Sequence, residues 1–156
     1  MSFTQPEDKR PLAGKVALVT GAARPRSIGR ATAVRLARHG ADVACLDIAR
    51  PYPDAPVHGT ASPDDLADLA QELSAHGAKV ATAEADVADE GEVERAVARV
   101  SEELGTVTVV ANVAGGSGPG FGLGFLLDVP AAEFRRVLDV NVVGTWLVSK
   151  ACARRM

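Results

Sequence analysis

Residues 15–30 place an apolar, strand-like run, a glycine-bounded turn and the start of an amphipathic helix in direct succession. The run Lys-Val-Ala-Leu-Val-Thr ends at Thr20. The turn then reads Gly-Ala-Ala-Arg-Pro-Arg-Ser-Ile-Gly from Gly21 to Gly29. A turn between a buried strand and a helix N-terminus gathers unpaired backbone N–H groups, and the helix dipole adds a positive field there. Such a place suits a phosphate. Gly21 and Gly29 flank it because the backbone must come close to whatever binds.

The rest of the composition narrows the class. The chain has 156 residues, 47% of them apolar and 24% charged, as expected for one globular domain. A formal net charge of −3 argues against nucleic acid or an acidic membrane as partner. Residues 1–11 read as a polar tail of mixed charge, not a signal peptide. No apolar run approaches the ~20 residues needed to span a bilayer. Cys45 and Cys152 stand alone in apolar stretches, which makes a reducing cytoplasm the default setting. His39, His58 and His76 have no metal-ligand spacing, so no metal site is expected. His39 and His76 each precede a glycine at an expected helix end.

Along the chain, strands and helices alternate. Strands are expected at 15–20, 42–47, 79–85 and 106–113, and helices at 27–39, 62–77, 90–104 and 130–140, with a further helical stretch from Asn141 onward. Ser62-Pro63-Asp64-Asp65 carries a capping hydroxyl, a first-turn proline and acids at the positive helix end. The proline-rich 48–61 and the glycine-rich 115–124 read as loops. The fourth strand is almost wholly apolar, as suits a strand covered on both faces. The alternation implies right-handed crossovers and an α/β, doubly wound parallel sheet.

Four groups carry the chemistry. The turn offers Gly21, Arg26, Ser27, Ile28 and Gly29 to a pyrophosphate. Asp47 ends the second strand, where a carboxylate can accept hydrogen bonds from a ribose diol and repel a 2′-phosphate. That favours NAD over NADP, although Arg24 and Arg26 pull the other way. Asp86 and Val87 follow the third strand, where an acid can accept from an adenine amino group. Asn112, Ala114 and Gly115 lie at the end of the fourth; the small residues admit a cofactor, while Asn112 can also tie neighbouring strands together.

These pieces, together with Asn141 in Leu138-Asp-Val-Asn-Val-Val-Gly144, resemble the short-chain dehydrogenase/reductase family over about residues 12–156. The resemblance implies a Rossmann-type domain with about four of the usual seven strands present. It also implies NAD as cofactor and reversible oxidation of an alcohol to a ketone or aldehyde. By the same resemblance Asn141 counts as catalytic, its backbone holding a water that links the catalytic lysine to solvent; a helix-junction cap fits its position equally well. Homo-oligomers are usual in the family, and Phe134, Val137 and Leu138 offer apolar surface for one or for the core.

The match departs in places. The turn is longer than the usual three-glycine loop, with Ser27 near the middle glycine, and is similar to that of bacterial enoyl-reductase relatives. Val113 replaces the second asparagine of the family's tetrapeptide. The proline-rich insert is similar to that of relatives with an extra segment beside the cofactor. The family's reaction also needs a serine and a Tyr-x-x-x-Lys pair. The single tyrosine, Tyr52, has Pro56 four residues on, and Lys150 has Trp146 four residues before it. The 156 residues alone are therefore expected to be inactive. A non-catalytic NAD-binding module and, more distantly, a methyltransferase are the competing readings.

Overall fold

The computed structural model describes residues 10–51, 59–119 and 121–156. Tyr52, His58 and most of the N-terminal tail lie outside them. The elements run β1 (Val16–Thr20), α1 (Ile28–Arg38), β2 (Asp42–Asp47), α2 (Pro63–Ser74), β3 (Val80–Glu84), α3 (Glu90–Leu104), β4 (Val109–Ala111), α4 (Ala131–Leu138), a π-helical turn (Asp139–Gly144) and α5 (Thr145–Ala153). The four strands form one parallel sheet in the order β3-β2-β1-β4. This is the α/β, Rossmann-like arrangement, and all four strands point their carboxyl ends to the same edge.

Period-two alternation builds two cores. Val16 and Leu18 of β1 join Ala44 and Leu46 of β2 on one face, packed by Val93, Val97 and Val100 of α3 and Leu147, Val148 and Ala151 of α5. Ala17 and Val19 join Val43 and Cys45 on the other, beneath Ala33 and Ala37 of α1 and Leu66, Leu69 and Leu73 of α2. Because both faces are covered, β1 and β2 are almost continuously apolar.

Local signals set the helix starts. Ser62 Oγ accepts from Asp65 N at 3.1 Å, and Asp65 Oδ2 accepts from Ser62 N at 2.8 Å, a reciprocal capping box behind Pro63. Asp89 caps α3 by accepting from Glu92 N at 2.8 Å.

Two elements differ from the sequence expectation. The strand expected over 106–113 pairs only at Val109–Ala111. Threonine hydroxyls join in at both ends, beside a backbone bond from Thr108 N to Val16 O at 2.8 Å. Thr108 Oγ1 meets Val16 N and O at 3.3 Å, and Thr20 Oγ1 accepts from Val113 N and Ala114 N, each at 3.0 Å. As the edge of the sheet, β4 is half-buried rather than covered on both sides. Second, α4 and α5 are joined through a widened turn instead of starting afresh at Asn141. Asn141 Nδ2 donates to Val137 O at 2.9 Å, competing for the carbonyl that an α-helical Asn141 amide would use.

Candidate functional site

The site is assembled from the segments that leave the carboxyl ends of the four strands. The first turn is held from every side. Gly21 takes φ +64°, and its amide donates to Leu46 O at 2.8 Å. A Cβ there would come within 2.8 Å of Ala114 Cα, so the β1 and β4 exits touch backbone to backbone. A Cβ at Gly29 would collide with the Gly21 carbonyl, which lets α1 rest directly on the turn. Ser27 caps α1, its Oγ accepting from Arg30 N at 3.0 Å. The amides of Ile28 and Gly29 have no intrahelical acceptor by helix geometry.

The peptide groups of Ala23 are gripped twice. Its N–H donates to Asp47 Oδ2 at 2.8 Å and its carbonyl accepts from Arg30 Nη1 at 3.1 Å. Arg30 is itself anchored by Glu72 of α2, Nε to Oε2 at 2.8 Å. Asp47 is only 8% exposed. Among the described residues its second oxygen has only a long contact, 3.4 Å, from Ala49 N. Arg26 and Ala49 take left-handed backbone at φ +58° and +42°, a conformation uncommon for residues with a side chain.

The β3 exit is fixed by Asp86. Its amide donates to Glu92 Oε2 at 2.7 Å and its Oδ1 accepts from Ala88 N at 2.9 Å. That backbone bond, and the Arg50 guanidinium beyond it, hold the Glu92 carboxyl below the usual carboxylate range. Val87 meets the π-helical turn so closely that a Cβ at Gly144 would lie 2.7 Å from Val87 Cγ2. On the β4 side, Asn141 pairs with one residue of the glycine-rich loop. Oδ1 accepts from Gly116 N at 3.1 Å and Nδ2 donates to Gly116 O at 3.0 Å.

Together these segments enclose a cleft of about 390 Å³. It brings together Gly21, Arg26, Ser27, Ile28, Gly29, Asp47, Asp86, Val87, Ala114 and Gly115. Asn112, grouped with them from sequence, does not line it. Asn112 Nδ2 donates to Ser149 Oγ at 2.9 Å, tying β4 to α5, and its buried Oδ1 has no partner among the described residues. Asn141 also stands behind the lining, and its backbone carbonyl accepts from Thr145 Oγ1 at 2.9 Å. Thr20, Arg30, Thr60 and Phe121 were not singled out from sequence. Thr20 at least had a signal, a hydroxyl ending an apolar strand; the contact of Arg30 with Glu72 spans 42 residues and has none. Among the described residues no group of three or more His, Cys, Asp or Glu could hold a metal. No helix among them is long and apolar enough to cross a membrane.

The family model described as enoyl-(acyl carrier protein) reductase matches residues 21–156. The chain belongs to the short-chain dehydrogenase/reductase family. An uncharacterized NAD-dependent oxidoreductase of Mycobacterium tuberculosis is 38% identical over 145 residues, covering 93% of this chain and 50% of that protein. A short-chain dehydrogenase from Mycobacterium paratuberculosis, solved bound to NAD, superposes with a TM-score of 0.83 at 36% identity, covering 92% of this chain and 51% of that one. Carveol dehydrogenase from Mycobacterium avium in complex with NAD gives 0.81 at 32% identity, covering 92% and 50%. The chain thus spans about half the length of each of these relatives.

Proposed function

We propose that the chain is the NAD-binding portion of an oxidoreductase that moves hydride between an alcohol or ketone substrate and NAD(H). The observation that carries this is the cleft itself: Asp47, with one carboxylate oxygen spent on the turn, keeps the other beside a glycine-bounded helix start. The close backbone approaches at Gly21 and Gly29 fit a pyrophosphate cradle that a side chain would fill. In this reading Gly21, Ser27, Ile28 and Gly29 hold the pyrophosphate, with Arg26 at its rim. Asp47 accepts from the adenosine ribose, Asp86 and Val87 meet the adenine, and Ala114 and Gly115 let the remaining half lie against the β4 exit. Asn112 braces that exit from behind. NAD, when bound, supplies the hydride acceptor.

Asn141 is assigned a positioning part through Gly116. The proton-handling Tyr-x-x-x-Lys pair is not found in these 156 residues, so they are expected to bind NAD without oxidising alcohols. The cytoplasm is the compartment we assign, from two free, buried cysteines. A homo-oligomer is assigned through α4, where Phe134 and Leu138 are exposed rather than in the core.

Calorimetric titration of NAD, NADP and S-adenosylmethionine tests the reading. NAD should bind more tightly than NADP, and S-adenosylmethionine should not bind. Asp47→Ala should weaken NAD by roughly 1.5–3 kcal/mol, the worth of a hydrogen bond to a charged group, and NADP by less. Unchanged NAD affinity in that variant rejects the ribose assignment.

A further inference from the structure

Arg50 lies three residues beyond Asp47 and is not among the residues lining the cleft, yet it is the hub of the ion-pair network at the β3 exit. Its Nη1 donates to Glu84 Oε1 at 2.8 Å, at the end of β3. Its Nη2 donates to both oxygens of Glu92, at 2.9 and 3.0 Å, in the first turn of α3. Glu92 Oε2 at the same time accepts the Asp86 amide at 2.7 Å. From its main chain, Arg50 O accepts Thr60 Oγ1 at 2.6 Å, and Thr60 lines the cleft. One residue therefore fixes two walls of the same end of the cleft, one through its guanidinium and one through its carbonyl.

The ion pairs are partly open to solvent, which limits what they add to stability. The side chains of Arg50 and Glu92 keep 37% and 27% of their accessible surface, and exposed pairs of this kind contribute little to folding. What the geometry does accomplish is orientation. With its amide consumed by Glu92 and its Oδ1 by Ala88 N, Asp86 is left with Oδ2 as the oxygen free of both bonds. A carboxylate held at backbone and side chain presents that acceptor in one direction, and pre-organisation of this sort saves the ordering cost of binding.

We infer that Arg50 and Glu92 are positioning residues for the nucleobase end of the cleft, holding Asp86 so that it selects a ring bearing an exocyclic amino group. The inference rests on the dinucleotide reading above. The selected ligand fragment is an aminopurine nucleotide, so AMP is the direct probe and IMP, which carries a carbonyl in place of the amino group, is its counterpart.

The test is titration of the full chain with AMP and with IMP by NMR, reading also the hydrogen-exchange rate of the Asp86 amide. The unaltered chain should prefer AMP. Arg50→Gln and Glu92→Ala should each cut AMP affinity about tenfold, leave IMP within about twofold, and speed exchange at Asp86. Arg99→Gln, which removes another exposed pair on α3 with Glu103, should change neither. Glu92→Gln keeps an acceptor for the Asp86 amide, provides a milder variant should Glu92→Ala unfold, and should fall between. Equal loss of AMP and IMP in step with a lowered melting temperature makes the role merely structural and overturns the inference. Unchanged AMP affinity in Arg50→Gln and Glu92→Ala overturns it as well. Failure of the unaltered chain to bind either nucleotide is a separate result, which overturns the dinucleotide reading and the inference with it.

Discussion

The Thr20 side chain is 1% exposed, and its hydroxyl receives the amides of Val113 and Ala114, more than ninety residues away in sequence. Thr20→Val keeps the shape and removes the acceptor. It should cost about 1–3 kcal/mol, toward the lower end because both amides belong to half-buried residues that water can reach. Thr20→Ser should restore most of it, and urea melts of the three proteins check the series. The two thiols make a different prediction. Burial pushes the Cys45 thiol up to about 12, with Asp47 adding to it, and the Cys152 thiol up to about 11. The thiolate is the reactive form, so neither cysteine should react with iodoacetamide at pH 8 until the protein unfolds. Rapid labelling of the folded chain would count against the burial described for both.

Among the elements, α1 depends on a contact only hydrogen permits. Gly29→Ala puts a methyl group against the Gly21 carbonyl, and backbone cannot swing aside as a long side chain can. It should destabilise the fold by more than 2 kcal/mol and abolish NAD binding, whereas Ser62→Ala, removing the α2 cap, should cost only ~1 kcal/mol and spare binding. Thermal melts with NAD titration separate the two outcomes. The contrast also explains what could be read in advance. Local chemistry writes itself into sequence: β2 and α3 have the expected ends, and Ser62-Pro63 starts α2 as its residues dictate. Non-local chemistry does not. The shortness of β4 depends on a Thr20 hydroxyl that accepts two amides from across the sheet, and the widened turn at Asn141 on a side chain competing for its own helix's carbonyl. Within the cleft, Gly21 and Asp47 were legible as lining residues because one directly follows and the other ends an apolar strand, and Asp86 because it comes two residues after β3. Arg30, outside the lining and paired with Glu72 on another helix, was not.

At the scale of the whole molecule, acid should unfold the chain through carboxylates that folding has made more acidic. Glu92 is lowered chiefly by the Asp86 amide, and Asp65 by the backbone and then the hydroxyl of Ser62. A group whose folded pKa is depressed contributes stability that is fully present above its unfolded pKa, about 4, and lost as pH falls through the folded value. The melting temperature should hold from pH 8 to 5 and fall below pH 4; calorimetry showing no decline down to pH 3 would refute this linkage. Among the described residues β4 is an edge strand, and Phe125, Leu126, Leu127 and Trp146 are exposed apolar side chains. Exposed apolar side chains and open strand edges favour self-association, and light scattering at rising protein concentration should show it. Finally, the grip of Asp47 on Ala23 bears on any attempt to redesign coenzyme preference. The usual first move, exchanging the acid for a small neutral residue to admit a phosphorylated ribose, would here also cut the mooring of the turn between β1 and α1. An engineer would need a paired replacement, one side chain to welcome the new group and another to take over the orphaned amide.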